Sequence, residues 1–358
     1  MGLLSKLFGQ SVSTVTAEPS GLRFEVRSNQ SILEAALAQG IAFPHSCTVG
    51  TCGSCKCRLK SGKIREITNF GYVLSAEELQ GDVILACQAA ARGDVVIEVP
   101  GLSAHRLHPA QDFTATISAT FDLTHDIKQV TLALDRPMQF DGGQYAHLAV
   151  DEIFGARAYS FAMPPRAGGT SEVSFFVRHV PGGMFTDLLF SGGLDGKTLK
   201  VHGPAGNFWL RDSRAPMICL AGGSGLAPLL SLLEDAVARH VGRPCIVLFG
   251  ARTAADLYAL DRLAAVGADW NGSFTFTPVL SAEPADSAWD GARGLVTDLL
   301  ASAAAGLASD EAEAYLCGPP PMIDAALPAL AALGLQPANM HFDKFLDGSH
   351  GLARQELA

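Results

Sequence analysis

Nine residues, CTVGTCGSC at 47–55, constrain this chain more than any other stretch. They place Cys47, Cys52 and Cys55 on one short loop, and Cys87 follows 32 residues after Cys55. Aiming three sulfurs and several backbone N–H groups inward takes backbone angles that glycine adopts freely, and Gly50 and Gly53 stand where they are needed. The C-x4-C-x2-C…C spacing is that of a [2Fe–2S] cluster with four thiolate ligands. Structural zinc sites usually pair their ligands as two knuckles. Here three candidate ligands share a loop and Cys87 stands apart, so the cluster reading is preferred. Cys57 falls two residues past Cys55 on a strand pattern and shares its side. It is read as a small buried residue rather than a ligand. His45 lacks the second histidine and the spacing of a Rieske site.

Around this loop the pattern is that of strands with one packed helix. Leu22, Phe24 and Val26 alternate with Arg23, Glu25 and Arg27, the period of a half-buried strand. Ser31 opens a helix with Glu34 as its capping-box partner, and Gly40 ends it. KCRLKSGKI reads as strand–turn–strand and DVVIEVP as a closing strand. The module resembles a plant-type ferredoxin of the β-grasp (α+β) fold, expected over 21–100. Residues 1–20 are expected to be an N-terminal tail, and 101–110 an interdomain linker.

From 111 to 208 the chain is strand-rich and punctuated by glycine pairs, which predicts a small antiparallel barrel. Two stretches carry chemistry. RAYS at 157–160 offers the donor fork of Arg157, suited to a phosphate, the flat ring of Tyr159 and the hydroxyl of Ser160. Arg/Tyr alternation can equally be an exposed strand face. VRHVPGGMFT at 177–186 sets Gly182 and Gly183 before a helix start, where exposed N–H groups favour a pyrophosphate. A plain tight turn is the alternative.

Residues 209–358 alternate strands and helices, which implies an α/β, Rossmann-like domain with a parallel sheet and ligands outside its carboxyl edge. In PMICLAGGSGLAPLL, Gly222, Gly223 and Gly225 let the backbone approach a pyrophosphate at a helix N-terminus. This is not the G-x-G-x-x-G fingerprint, because Pro228 stands where its third glycine would be, a position a first helical turn tolerates. GLVTDLLASAAA is expected to be a further helix. By the family resemblance drawn below, Arg252 would face the adenosine ribose or phosphate. With Asp256 nearby and no second basic residue evident, NADH is favoured over NADPH.

Composition narrows the class. The chain has 358 residues, 48% hydrophobic and 17% charged, with a net charge of −10. That describes globular domains with ample core. The acidic surplus concentrates at 209–358, where seventeen Asp/Glu face nine Lys/Arg. No basic face suited to nucleic acid is evident. No run of about 18 apolar residues suggests a transmembrane helix. The eight cysteines do not suggest a disulfide framework, so a reducing, cytoplasmic location is expected, peripheral to a membrane at most through a partner.

Taken together, RAYS, GGQY (142–145), VPGG, GGSGLAP and CGPPPM resemble the flavin and nicotinamide motifs of the ferredoxin–NADP reductase superfamily. The resemblance covers nearly all of 21–350. It is greatest for the NADH-dependent reductase components of multicomponent oxygenases. It implies three cofactors, a [2Fe–2S] cluster, FAD and NADH. Cys47, Cys52, Cys55 and Cys87 would hold the cluster. Arg157 would bind the flavin phosphate, Tyr159 and Ser160 would contact the isoalloxazine, and Val177, Arg178, Gly183, Met184 and Thr186 would line the remainder. Cys317, in the CGP motif with Gly318, would stand at the nicotinamide–flavin contact, with a structural thiol as the alternative. Phe342 or Phe345 would cover the flavin or nicotinamide pocket, unless Phe342 simply buries a final strand. The resemblance implies a monomeric reductase that feeds a terminal oxygenase or hydroxylase, membrane diiron or soluble, acting on an aromatic or other hydrophobic substrate. A non-oxygenase acceptor such as a deoxysugar dehydratase, or an electron-transfer subunit not using NADH, are the alternatives. Lys56, Arg58, Lys60, Lys63 and Arg65 form a basic edge beyond the cluster loop, read either as a docking edge for an acidic partner or as a solvated hairpin.

Overall fold

The computed structural model describes residues 12–45, 48–51, 53–100, 102, 108–307 and 309–345. The chain forms two compact units, 1–110 and 111–358.

In the first unit the strands are β1 (Val12–Glu18), β2 (Leu22–Arg27), β3 (Lys56–Ser61), β4 (Ile64–Glu66), β5 (Val83–Leu85), β6 (Ala89–Ala91) and β7 (Val95–Glu98). The helices are α1 (Ile32–Ala38) and α2 (Ala76–Gln80). A five-stranded sheet runs β2-β1-β7-β3-β5, and β4 pairs with β6. The alternation in β2 buries Phe24 and Val26. These residues join Ile32, Leu33 and Phe43 in one core, each large apolar side chain contributing about 1.5–3 kcal/mol. Ser31 caps α1 with the reciprocal Glu34 bond, and Gly40 takes the left-handed conformation (φ +70°) that ends it. One boundary differs from expectation. Residues 12–18, read as tail, form β1 and pair with both β2 and β7, because Ser13, Val15 and Ala17 point into the core. The alternation Ser-x-Val-x-Ala is too weakly apolar to announce a strand. MGLLSKLFGQ lies outside the described residues, as does most of the expected linker.

The second unit opens with a six-stranded antiparallel sheet, β11-β10-β13-β8-β9-β12. Its strands are β8 (Gln111–Asp122), β9 (Ile127–Met138), β10 (Tyr145–Ala149), β11 (Arg157–Ser160), β12 (Thr170–Arg178) and β13 (Thr198–Ala205). The helix α3 (Met184–Phe190) lies between β12 and β13. The sheet curls until its edges meet. Phe161 and Phe175 form an antiparallel bridge, and the Ala162 N–H donates to the Ser174 carbonyl at 2.7 Å. Closure of this kind removes exposed strand edges. Phe161, Phe175, Leu132 and Val173 fill the interior.

A wholly parallel sheet follows, ordered β17-β16-β15-β14-β18-β19. It comprises β14 (Met217–Gly222), β15 (Cys245–Ala251), β16 (Phe274–Leu280), β17 (Ala292–Arg293), β18 (Glu313–Gly318) and β19 (Met340–Lys344). Helices α4 (Leu226–Ala238), α5 (Leu260–Asp269), α6 (Leu300–Ala303) and α7 (Pro320–Ala332) connect it. Burial on both faces explains the continuous apolar runs of β14 and β18. One face shares its core with the barrel through Ile127, Ala162 and Phe176. Ser231 of α4 donates to the Met163 carbonyl at 2.6 Å, and Arg262 of α5 to that of Ala162 at 2.8 Å. The helix expected over GLVTDLLASAAA is only the four-residue α6. Gly294 turns the chain (φ +106°), and Asp298 accepts from the Leu295 N–H, which fixes a loop instead. Among the described residues β19 is the last strand, but Phe342 does not bury it: that residue is 46% exposed, while Met340 on the same face is buried. Among the described residues no helix is long and apolar enough to cross a membrane.

Candidate functional site

In the first unit, Cys55 and Cys87 come together. Cys47 and Cys52 lie outside the described residues. The Cys55 and Cys87 sulfurs are 3.3 Å apart and both residues are buried. Two thiolates on one tetrahedral metal ion stand roughly 3.8 Å apart for metal–sulfur bonds of about 2.3 Å. A disulfide needs about 2.05 Å. The observed spacing fits shared metal ligation. The Ala86 N–H donates to the Cys55 carbonyl at 3.1 Å, which ties the two ligand segments together. Gly50 (φ +82°) and Gly53 (φ +73°) are left-handed. At Gly50 a side chain would also strike Gln88, whose amide reaches the Thr48 carbonyl at 3.3 Å and the Thr68 hydroxyl at 3.1 Å. Gln88, beside Cys87, carries no signal in the sequence pattern. Cys57 is buried, and burial together with nearby Cys55 pushes its thiol up, which keeps it neutral. The basic edge is largely paired. Lys56 bonds Glu78 at 2.6 Å, and Arg58 and Lys60 approach Glu98 at 3.8 and 3.7 Å.

In the barrel, β11 pairs with β10 so that Tyr159 lies opposite Ala146 and Ser160 opposite Tyr145. The Arg157 guanidinium donates to the Phe154 and Ala156 carbonyls at 3.4 and 3.3 Å and has no carboxylate partner among the described residues, which suits a phosphate. The Tyr159 ring lies 5.5 Å from that of Phe185, and burial pushes its hydroxyl up, so it stays neutral. Val177 and Ser160 are buried, and Met184 is exposed. The hydroxyl of Thr186 turns back on its own loop, donating toward the Val180 and Gly183 carbonyls and accepting from the Val180 N–H. Gly183 is the N-cap residue of α3 and makes no side-chain cap, and a Cβ there would crowd Thr186 and the Val180 carbonyl. The glycines of GGQY serve packing: Gly142 meets the backbone of α4, and Gly143 that of Phe208.

At the carboxyl ends of β14, β15 and β16 lies a cavity of about 340 Å³. Arg178, Gly222, Gly223 and Arg252, all expected at a site, line it together with Asp126 and Asp256. Gly225, Pro228, Cys317, Gly318 and Phe345 do not. Gly223 is left-handed (φ +54°), and beyond its α-carbon only the Arg178 guanidinium comes near. Gly225 has the opposite task, since a Cβ there would overlap the Cys317 carbonyl oxygen, so it lets α4 close on β18. Cys317 is wholly buried, and burial, reinforced by Asp343, pushes its thiol up. The Phe345 N–H donates to the Gly318 carbonyl at 2.9 Å. Asp126 and Ser281 also line the cavity without having been expected there. Asp126 lies on a hairpin 126 residues before Arg252, a separation no local pattern bridges.

Burial works to raise the Asp126 carboxyl, but the Thr124 hydroxyl and the charges of Arg178 and Arg252 outweigh it and hold it below the usual range. Asp256 is held low in the same way by Arg252 and Thr253. Arg252, hydrogen-bonded first to Asp256 at 2.9 Å, is held above its ordinary value. The cavity therefore presents two guanidinium groups already matched by two carboxylates.

Comparison with known proteins identifies the three modules. Residues 15–92 match the 2Fe-2S iron-sulfur cluster binding domain family, 114–209 the oxidoreductase FAD-binding domain family, and 218–327 the oxidoreductase NAD-binding domain family. The chain is 42% identical over 333 residues to the xylene/toluene monooxygenase electron transfer component of Pseudomonas putida, covering 93% of each chain. The chain belongs to the iron–sulfur flavoprotein reductases of the ferredoxin reductase type. The reductase subunit of an aromatic O-demethylase from Amycolatopsis is 36% identical, covering 94% of this chain and 100% of that one. The crystal structure of an Amycolatopsis cytochrome P450 reductase superposes with a TM-score of 0.72 at 35% identity, covering 93% of this chain and 98% of that one. As a member of this family the chain is an oxidoreductase that carries electrons from NAD(P)H through FAD and a [2Fe–2S] centre.

Proposed function

We infer that the chain is the NADH-dependent reductase component of an oxygenase system, passing electrons to a terminal oxygenase or hydroxylase that acts on an aromatic or other hydrophobic substrate. When bound, the nicotinamide supplies a hydride, the flavin divides the electron pair, and the cluster carries electrons singly. One observation carries most of this reading. Arg178 ends a barrel strand of the expected flavin site and lines the cavity at the nucleotide sheet, beside Gly223. One side chain thus joins the two sites that must lie side by side for hydride transfer.

In this reading Cys47, Cys52, Cys55 and Cys87 hold the cluster. Arg157 takes the flavin phosphate, Tyr159 and Ser160 meet its ring, and Gly183, Met184 and Thr186 frame its pyrophosphate. Gly222, Gly223 and Arg252 take the dinucleotide, while Gly225, Pro228 and Gly318 shape the turns behind it. Cys317 and Phe345 stand at the nicotinamide contact. The preference for NADH rests on charge. A 2′-phosphate needs a cation beyond those that meet the pyrophosphate, and apart from Arg178 and Arg252 the charged residues lining the cavity are Asp126 and Asp256. The oxygenase partner is inferred from the relatives, of which the xylene/toluene monooxygenase component is 42% identical. The same reading makes the protein a cytoplasmic monomer, with the first module extended to 12–100 by β1 and the others bounded at 111–208 and 209–358.

Purified protein mixed anaerobically with NADH is expected to lose its visible flavin absorbance and to reduce cytochrome c or ferricyanide. A flavin untouched by NADH sinks the reductase reading. Turnover with NADPH as fast as with NADH sinks the coenzyme preference. Co-purification of an oxygenase component, and its reduction by this chain, tests the partner.

A further inference from the structure

One carboxylate in the cavity has no part in the reading above beyond its charge. Asp126 stands at the tip of the β8–β9 hairpin, which belongs to the barrel and not to the nucleotide sheet whose edge it meets. Its Oδ2 accepts from Arg178 Nε and from Arg252 Nη2, each at 3.1 Å. Its position is set by its own turn. The Thr124 hydroxyl donates to Oδ1 at 3.0 Å and accepts from the Asp126 N–H at 3.3 Å, and the Asp126 carbonyl accepts from the His179 N–H at 2.8 Å. The carboxylate is therefore presented to the arginines by the barrel rather than drawn out by them. His125 completes the surroundings, 3.9 Å from Asp126 and 3.6 Å from Asp256.

Two guanidinium donors that converge on one carboxylate oxygen are equally placed to converge on one phosphate oxygen. Both line the cavity, and Arg178 is the side chain nearest the open face of Gly223. The geometry points to Asp126 as an internal competitor with the coenzyme's phosphates for Arg178 and Arg252: it occupies both in the free protein and gives them up when the dinucleotide binds. The exchange keeps the arginines ordered and neutralised between turnovers. It also weakens coenzyme binding, which favours release of the oxidised product. This rests on reading the cavity as the dinucleotide site. Both arginines are about half exposed, so the pairs are of the weak kind and the competition is modest, about fivefold in affinity.

The test is calorimetric titration of the intact, cofactor-loaded protein with NAD+ and, separately, with inorganic pyrophosphate. Asp126→Asn is expected to bind both about fivefold more tightly than the parent. Thr124→Val keeps the charge but loosens the turn, and is expected to fall between the two; it also serves if Asp126→Asn does not fold. Unchanged or weaker binding by Asp126→Asn, or by Thr124→Val in its place, overturns the competitor. Arg252→Ala is the separate check on the cavity. If it binds both ligands as the parent does, the dinucleotide site lies elsewhere and the inference falls with that reading.

Discussion

Asp343 and Cys317 lie opposite one another across the parallel β18–β19 pair, so a carboxyl pushed up to about 6 by burial stands against a wholly buried thiol. Its ordinary value is 3.8. Between those values the folded chain holds a proton that the unfolded chain has released, so this group makes stability fall as pH rises from about 4 to 6. Asp343→Asn removes the dependence. It is expected to melt above the parent at pH 7, with the gap closing below about pH 4. A gap that stays constant across this range contradicts the assignment.

Glu313 anchors a buried polar network. It accepts from Arg243 at 2.8 Å and from the Tyr315 hydroxyl at 2.6 Å, and that hydroxyl accepts from the Arg211 N–H. Glu313→Ala strands a buried guanidinium, a loss of about 3–5 kcal/mol. A clear fall in melting temperature is expected, with Glu313→Gln intermediate. An unshifted melt in the alanine variant would show that the network carries no stability.

Gly223 and Gly225 of GGSG separate folding from binding. Gly225→Ala places a methyl group on the Cys317 carbonyl, where backbone cannot give way, and costs about 1–3 kcal/mol. Gly223→Ala touches only the tip of Arg178, at 3.9 Å, pays about 1–2 kcal/mol for its left-handed backbone, and projects its methyl group into the cavity. Its KM for NADH is expected to rise more than that of Gly225→Ala. Equal KM values in the two folded variants would count against the cavity as the coenzyme site.

Cys87→Ser should abolish the cluster's visible absorbance and electron paramagnetic signal while leaving flavin reduction by NADH intact. Cytochrome c reduction, where it depends on the cluster, falls with it. Retention of a full complement of iron would contradict the ligand assignment.

Gln88 pins the described part of the cluster loop from the side. Gln88→Ala removes the bonds to Thr48 and Thr68 and opens space beside Gly50. Faster loss of cluster absorbance to a chelator is expected, together with a shifted reduction potential, because cluster potentials respond to hydrogen bonding and solvent exposure. The same decay rate and potential as the parent would show that the loop holds without it.

Local chemistry made much of this legible. The Ser31–Glu34 box, the glycine ending α1 and the apolar run of β14 act within a few residues, and the structure follows them. The failures share a cause. β1 is only weakly apolar and is made a strand by partners on both sides. GLVTDLLASAAA has helical composition, yet Gly294 and Asp298 turn most of it into a loop at the cavity. Phe342, left open by the sequence between a pocket cover and a buried strand residue, lies on an edge strand with its ring exposed, although Met340 on the same face is buried.

By itself the sequence determined the cysteine spacing, the order of the three cofactor modules and where the glycine-rich turns fall, because each depends on spacing along one segment. Only the tertiary structure decided that Cys55 and Cys87 meet, that Gly225 serves packing while Gly223 faces the cavity, and that Asp126 stands between Arg178 and Arg252. Those relationships join residues from roughly 30 to 130 positions apart, and such pairs are brought together by sheet order and barrel closure, whose stabilisation comes from burying apolar surface rather than from any local signal.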